Sequence, residues 1–347
     1  NTMTRISRRD FLKLSALSVG TMAFSPIKER LNLFDDRMLV RVATDAISVH
    51  SQPNDESRII GQWYRDDLLT VYEEVIAETP AYNPVWYRVW GGFVHRARLQ
   101  RVELLYNPTQ TIFEEGQRYL AEVTVPFSQP MRYSKFYGWE PIYPLYYESV
   151  HWVDSVGEGP DGKIWYRIFD ELVSVPYYVP TAHLRMIPPK SLAPISPEVE
   201  YLDKHVDVDL TTQRVMAYEY EKIVFETVIS SGLVYGGNPN GIGTKTPTGK
   251  FHIREKMPSK HMGDGSLASD TSAYELPGVP WTCFFTEAGH AFHGTYWHEN
   301  YGVPMSHGCI NMRTHEAKWL FRWLRPVHDG PQLYRRGYGT EVNIFYS

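Results

Sequence analysis

A mainly β fold is what this sequence predicts, with two small β-barrel modules followed by a larger β-rich domain that carries a few short helices. Three observations lead there. Aromatic residues make up 14% of the 347 residues, with 24 Tyr and 10 Trp, and such side chains fit a pleated, half-buried surface. From Asp36 to Pro188, short apolar runs alternate with turn residues, the pattern of small antiparallel sheets. Beyond Pro197 the apolar period becomes two: Val206, Val208 and Leu210 alternate with Asp207 and Asp209.

Bulk properties bound the function. The hydrophobic share of 43% and charged share of 22% are those of a globular chain with enough apolar side chains for several cores. A net charge of −5 gives no reason to expect nucleic acid as a partner. Two cysteines cannot form a disulfide framework. A bridge between Cys283 and Cys309 in an oxidising compartment would block either thiol as a nucleophile.

Residues 1–34 read as an address and a linker. Ser7-Arg8-Arg9-Asp10-Phe11-Leu12-Lys13 has the form of a twin-arginine export signal, with a modest apolar run from Leu14 to Phe24 behind it. The run is short for a permanent bilayer span, so a membrane is touched only through this segment if it stays uncleaved. The expected location is the cell envelope, outside the cytoplasm.

Residues 35–106 and 107–187 form the two modules. Val85-Trp86-Tyr87-Arg88-Val89-Trp90 is echoed 79 residues later by Ile164-Trp165-Tyr166-Arg167-Ile168-Phe169, and each copy is followed by a strand-like return. These modules resemble bacterial SH3-like domains, which implies positioning or tethering of a catalytic domain. Residues 188–197, with four prolines in ten, read as a linker. The final domain, 198–347, opens with a β meander and a glycine-rich loop from Gly232 to Gly249. Residues 254–280 read as a long polar insertion, the kind that forms lids. Strands are expected at Trp281–Phe285, His290–His293 and Glu341–Tyr346. Thr314 is expected to N-cap a helix that buries Ala317, Leu320, Phe321 and Leu324 and stops at Pro326.

The chemistry concentrates between His293 and Arg313. Here stand Cys309 and three of the thirteen histidines, His293, His298 and His307. A thiolate is the nucleophilic form of cysteine, and an imidazole generates it by taking the proton. Gly308 removes a side chain just before the sulfur, which leaves room for a carbonyl and for backbone N–H donors. An imidazole beside a thiol also predicts a thiol pKa below its free value of about 8.5. Cys283, in an apolar run, reads as a packed side chain.

His293-Gly294-Thr295, a spacer, and then Ser306-His307-Gly308-Cys309-Ile310-Asn311 resemble the signature of L,D-transpeptidases with the YkuD-type catalytic domain. Thr246-Pro247-Thr248-Gly249-Lys250-Phe251 resembles a second segment of that family. The resemblance implies Cys309 as nucleophile, His293 as general base and the backbone carbonyl of Gly294 as the group that orients the imidazole. The N–H groups of Gly308 and Cys309 become candidate oxyanion donors, and Ser306 and His307 shape the pocket. Asn311 and Arg313 either orient the loop or bind a substrate carboxylate. The implied reaction transfers an acyl group from a peptidoglycan stem peptide, through a thioester, to an amine on another stem. Water as acceptor gives carboxypeptidase activity, and a protein amine gives anchoring. No metal or organic cofactor is required, and β-lactams, carbapenems above all, are the expected covalent inhibitors. Two rivals stand beside it. One is a zinc hydrolase built from the domain's histidines, although His290 and His293 sit on opposite faces if they share one strand. The other is a non-catalytic wall-binding protein.

Overall fold

The computed structural model describes residues 38–173, 175–234, 244–263 and 275–347. The segment in which an export signal is expected, and residues 235–243 in the middle of the glycine-rich loop, lie outside the described residues. The described residues divide into two compact units, those of 38–102 with 297–299, and those of 103–296 with 300–347.

In the first unit, strand Val85–Val89 pairs on one side with Glu73–Ile76 and on the other with Gly92–His95, inside a five-stranded sheet. A three-stranded sheet around Leu39–Val42 completes it. Val40, Val42, Val49, Leu69, Tyr87 and Leu99 fill the core. Arg41 is buried beside them without cost from an unmet charge. Its guanidinium reaches Asp66 at 2.9 Å and Gln100 at 2.8 and 3.1 Å.

The second unit begins with a seven-stranded sheet in which Ile164–Phe169 lies between Val150–Glu158 and Tyr177–Pro180. The two copies of the Trp-Tyr-Arg repeat therefore each form a strand flanked by two antiparallel neighbours. Trp86, Tyr87, Trp165 and Tyr166 are all buried.

Ten strands from residue 204 onward are labelled here β1 (Lys204–Asp209), β2 (Arg214–Glu219), β3 (Lys222–Val228), β4 (Gly249–His252), β5 (Glu255–Gly263), β6 (Glu275–Phe284), β7 (Ala291–Gly294), β8 (Ile310–Met312), β9 (Arg335–Arg336) and β10 (Glu341–Phe345). They form two five-stranded sheets, in the orders β3-β2-β1-β10-β4 and β8-β7-β6-β5-β9. β1 with β10 and β7 with β8 are parallel pairs. One continuous core, with Val206, Val208, Trp281, Phe292, Ile310, Leu320 and Val342, also takes in Leu120, Val150 and Trp152 of the preceding sheet. That shared apolar core is the physical reason why residues 103–187 and the final domain form one unit.

Helix α1 (Thr314–Trp323) packs behind β7 and buries Ala317, Leu320 and Phe321, as their spacing predicts, together with Trp323. Thr314 is its first helical residue and not its cap; Arg313 takes the cap position with no side-chain bond. The carbonyl end is held instead by two buried lysines. Lys256 Nζ donates to Leu324 O at 2.8 Å, and Lys204 Nζ to Trp323 O at 3.4 Å. Lys204 also donates to Ile195 and Ser196 of the proline-rich stretch, at 3.0 and 2.7 Å. That stretch is docked on the domain, with Leu192 in its core.

Within the polar stretch 254–280, residues 255–263 and 275–280 pair in antiparallel β5 and β6 where an insertion is expected; residues 264–274 lie outside the described residues. The polar groups of β5 are satisfied by residues of the preceding sheet and of β6. Ser259 Oγ donates to Val150 O at 2.6 Å, and His261 sits between Asp170 and Glu275.

Candidate active site

The Cys309 loop is fastened by backbone bonds to the segment after β3. Ser230 and Asn311 exchange N–H···O bonds of 3.0 and 2.8 Å, Ser306 N donates to Ser231 O at 3.0 Å, and Leu233 N to Ser306 O at 2.9 Å. Thr246 adds a side-chain bridge. Its hydroxyl accepts from Gly232 N–H at 2.8 Å and donates to Gly308 O at 2.9 Å. Thr246 was legible as part of a family segment, but its task was not. Gly308 has φ +116°, a region that side-chain-bearing residues avoid, and a Cβ there would lie 2.7 Å from the ring of His290. Glycine is therefore required twice over at this position.

The parallel pairing of β7 with β8 sets Phe292 against Ile310 and His293 against Asn311, which brings Cys309 to the strand that carries His293. His293 is buried, and its Nδ1 lies 2.9 Å from Gly294 O. A carbonyl only accepts, so Nδ1 carries the proton and the neutral ring keeps its lone pair on Nε2. Burial pushes the His293 pKa down to about 4, against the pull of that carbonyl.

Cys309 is half-buried. Its thiol donates to Gly289 O at 3.7 Å and its sulfur accepts from the N–H of Ala291. Burial pushes the thiol up to about 11, with the Ala291 N–H acting in the opposite direction. The expectation of a thiol depressed below its free value is thereby corrected. Desolvation disfavours both charged partners of an ion pair, so the resting site holds a neutral thiol and a neutral imidazole.

The remaining candidates have distinct surroundings. Ser306 is buried, and its hydroxyl donates to Cys309 O at 2.5 Å while accepting from Gly308 N–H at 3.1 Å. That N–H is therefore engaged inside the loop in this arrangement. His307 is exposed. Asn311 is buried, and its backbone is paired with that of Ser230. The Arg313 guanidinium stacks 4.5 Å from the centre of the Tyr301 ring and lies 3.5 Å from Glu316.

Cys283, in β6, is fully buried, and burial pushes its thiol up to about 12. Both cysteines are free thiols. His290 was not read as part of the site, because one strand from His290 to His293 would turn it away. The strand begins at Ala291, and the His290 ring instead abuts Gly308.

No curated protein matches this chain. Similar solved structures include the Ldtfm–avibactam carbamoyl enzyme, 28% identical over 42% of this chain and 49% of that one, with a TM-score of 0.29. A cysteine-to-serine mutant of an Enterococcus faecium L,D-transpeptidase is 28% identical over 43% of this chain and 51% of its own, TM-score 0.30. The catalytic domain of the E. faecium L,D-transpeptidase acylated by ertapenem is 27% identical, over 41% and 97%, TM-score 0.28. This chain spans about half the length of the first two. Residues 203–344, which contain all the site residues named above, match the family model of YkuD, the L,D-transpeptidase catalytic domain.

Proposed function

We propose that the chain is a peptidoglycan L,D-transpeptidase whose Cys309 carries the acyl group as a thioester. The observation that carries this reading is the bond from His293 Nδ1–H to Gly294 O. It leaves Nε2 as a base and needs no carboxylate to orient the ring. The thiol proton passes to Nε2 as sulfur attacks the carbonyl that precedes a terminal D-amino acid of a stem peptide. The amine leaves with that proton, and an amine from a second stem then takes the acyl group. Because thiol and imidazole rest neutral, the transfer accompanies attack and does not precede it.

The two β modules position or tether this domain as SH3-like units. The Arg8-Arg9 segment supports export by the twin-arginine route to the cell envelope. A β-lactam that reaches the sulfur is opened to a stable acyl enzyme, since the departing amine stays attached to the ring remnant.

The test uses the full chain with purified stem tetrapeptides and mass spectrometry. Cross-linked dimers, each lacking one terminal D-amino acid, are expected, and none with Cys309→Ala. Release of the D-amino acid without dimers would assign the site to hydrolysis. No turnover of any stem peptide would overturn the reading.

A further inference from the structure

The geometry points to the imidazole of His290 as a donor to the substrate's carbonyl oxygen, a catalytic group of this site beyond the thiol and His293. The inference rests on the acyl-transfer reading and adds a residue to it.

Three observations carry it. First, the sulfur of Cys309 is held between the backbones of residues 289 and 291. The thiol donates to Gly289 O at 3.7 Å and the sulfur accepts from Ala291 N–H, so the residue between these two contacts is His290. Second, the ring turns towards the nucleophile's loop. A Cβ built on Gly308 would lie 2.7 Å from His290 Cδ2 and 2.9 Å from Nε2. Third, Thr286 can hold the ring in one tautomer. Its hydroxyl accepts from His290 N–H at 3.0 Å and lies 2.8 Å from Nδ1. With Nδ1 as the acceptor for the hydroxyl proton, the neutral ring carries its own proton on Nε2. Burial holds the His290 pKa below its ordinary value, which keeps the ring neutral.

Among the described residues, no protein atom accepts from Nε2. This half-buried donor stands beside the one N–H that the loop has already committed, since Gly308 N–H is taken by Ser306. A carbonyl oxygen over Cys309 would otherwise meet one fewer donor than an acyl-transfer site needs. As the sulfur–carbon bond forms, the carbonyl π pair moves onto oxygen, the thiol proton goes to His293 Nε2, and His290 Nε2–H donates to the new oxyanion. Collapse returns that pair to the carbonyl, breaks the carbon–nitrogen bond and passes the proton from His293 to the leaving amine. His290 keeps its own proton throughout.

The experiment separates a donor to oxygen from a partner of sulfur. Iodoacetamide alkylates Cys309 by displacement at carbon and forms no oxyanion, whereas stem-peptide transfer and carbapenem acylation both do. His290→Phe in the full chain is expected to lower kcat and the carbapenem acylation rate by about 10²-fold or more, with little change in KM. Its iodoacetamide rate should stay within about twofold of the parent, which also reports that the thiol's surroundings are folded. His290→Gln, which keeps a donor amide, should recover part of the loss. Thr286→Val frees the tautomer and should fall between. Equal losses in alkylation and acylation would make His290 a partner of the thiol and overturn the proposal, as would acylation at the parent rate in His290→Phe. If the parent chain itself neither turns over stem peptide nor takes a carbapenem, it is the acyl-transfer reading that fails.

Discussion

His261 Nδ1 lies 2.7 Å from Asp170 Oδ2 across 91 residues of sequence, and its Nε2 lies 2.7 Å from Glu275 Oε2. The Tyr177 hydroxyl donates to the same Asp170 oxygen at 3.1 Å, and the Tyr143 ring packs edge-on against the imidazole. Burial works against a charged ring, but the bonds and charges of Asp170 and then Glu275 outweigh it, and the His261 pKa is raised. This pins the β5–β6 hairpin to the sheet before it. His261→Ala leaves two buried carboxylates without the imidazole that bridges them and should cost about 3–5 kcal/mol. A thermal melt unchanged by the substitution would show that the contact is idle.

That contact also bears on any excised domain. A fragment starting near residue 198 loses Asp170, the Glu171 partner of Lys260 and the Val150 carbonyl that accepts from Ser259. It should unfold at lower temperature than the full chain and turn over stem peptide more slowly. A fragment starting at residue 103 retains these partners and should melt well above the shorter one. Equal melting of the two fragments would contradict this account.

The two cysteines should separate cleanly. Cys309→Ser should abolish transfer, because a neutral histidine cannot generate an alkoxide as it helps a thiol. Cys283→Ser should keep activity, since that sulfur lies wholly inside the core. Stem-peptide turnover by both variants, followed by mass spectrometry, checks this.

Alkylation of Cys309 should climb with pH across the alkaline range towards about 11, the value to which burial pushes its thiol, and should not level off near neutrality. Acyl transfer should fall instead on the acid side, as His293 takes a proton near pH 4. A neutral plateau in the alkylation profile would restore the ion pair that the buried geometry argues against.

Acid should weaken the fold in a defined window. Burial lowers His151 to about 3, and His183, His293 and His328 each to about 4. Unfolding returns them to about 6.5, so below that pH the unfolded chain binds more protons and stability declines as pH drops towards 4. His261 has the opposite sign. Its raised pKa contributes fully below about 6.5 and is lost as pH rises through the folded value. Urea midpoints from pH 4 to 8 measure the two in turn: His261 should lift the midpoint slightly as pH falls from 8 towards about 6.5, and a midpoint that goes on rising from about pH 6 to 4 would contradict the account.

Much of this was legible in the chain itself. Val206, Val208 and Leu210 declare a strand by alternation, and Ala317, Leu320 and Phe321 declare a helix face. Cys309 and His293 stand out by residue type and spacing, because a thiol and an imidazole beside glycines leave a local mark, whereas Gly294 is placed at the site by the family resemblance alone. The β5–β6 hairpin was not found, since Ser259 and His261 look like loop residues until Val150 and Asp170 cover them. Nor was the depressed acidity of Cys309, because desolvation is set by neighbours brought in from several strands. His290 was missed for a smaller reason, a strand that begins one residue later than alternation suggests.

The place of β10 in its sheet carries a consequence for synthesis. Residues 341–345 lie between β1 and β4, paired in parallel with one and antiparallel with the other. A ribosome that has already delivered Cys309 and His293 has not yet supplied the strand that joins these neighbours. Until it does, β1 and β4 present open edges to each other's solvent and to other chains. Cys309 is thus made before the sheet built on β1 can close around its last strand.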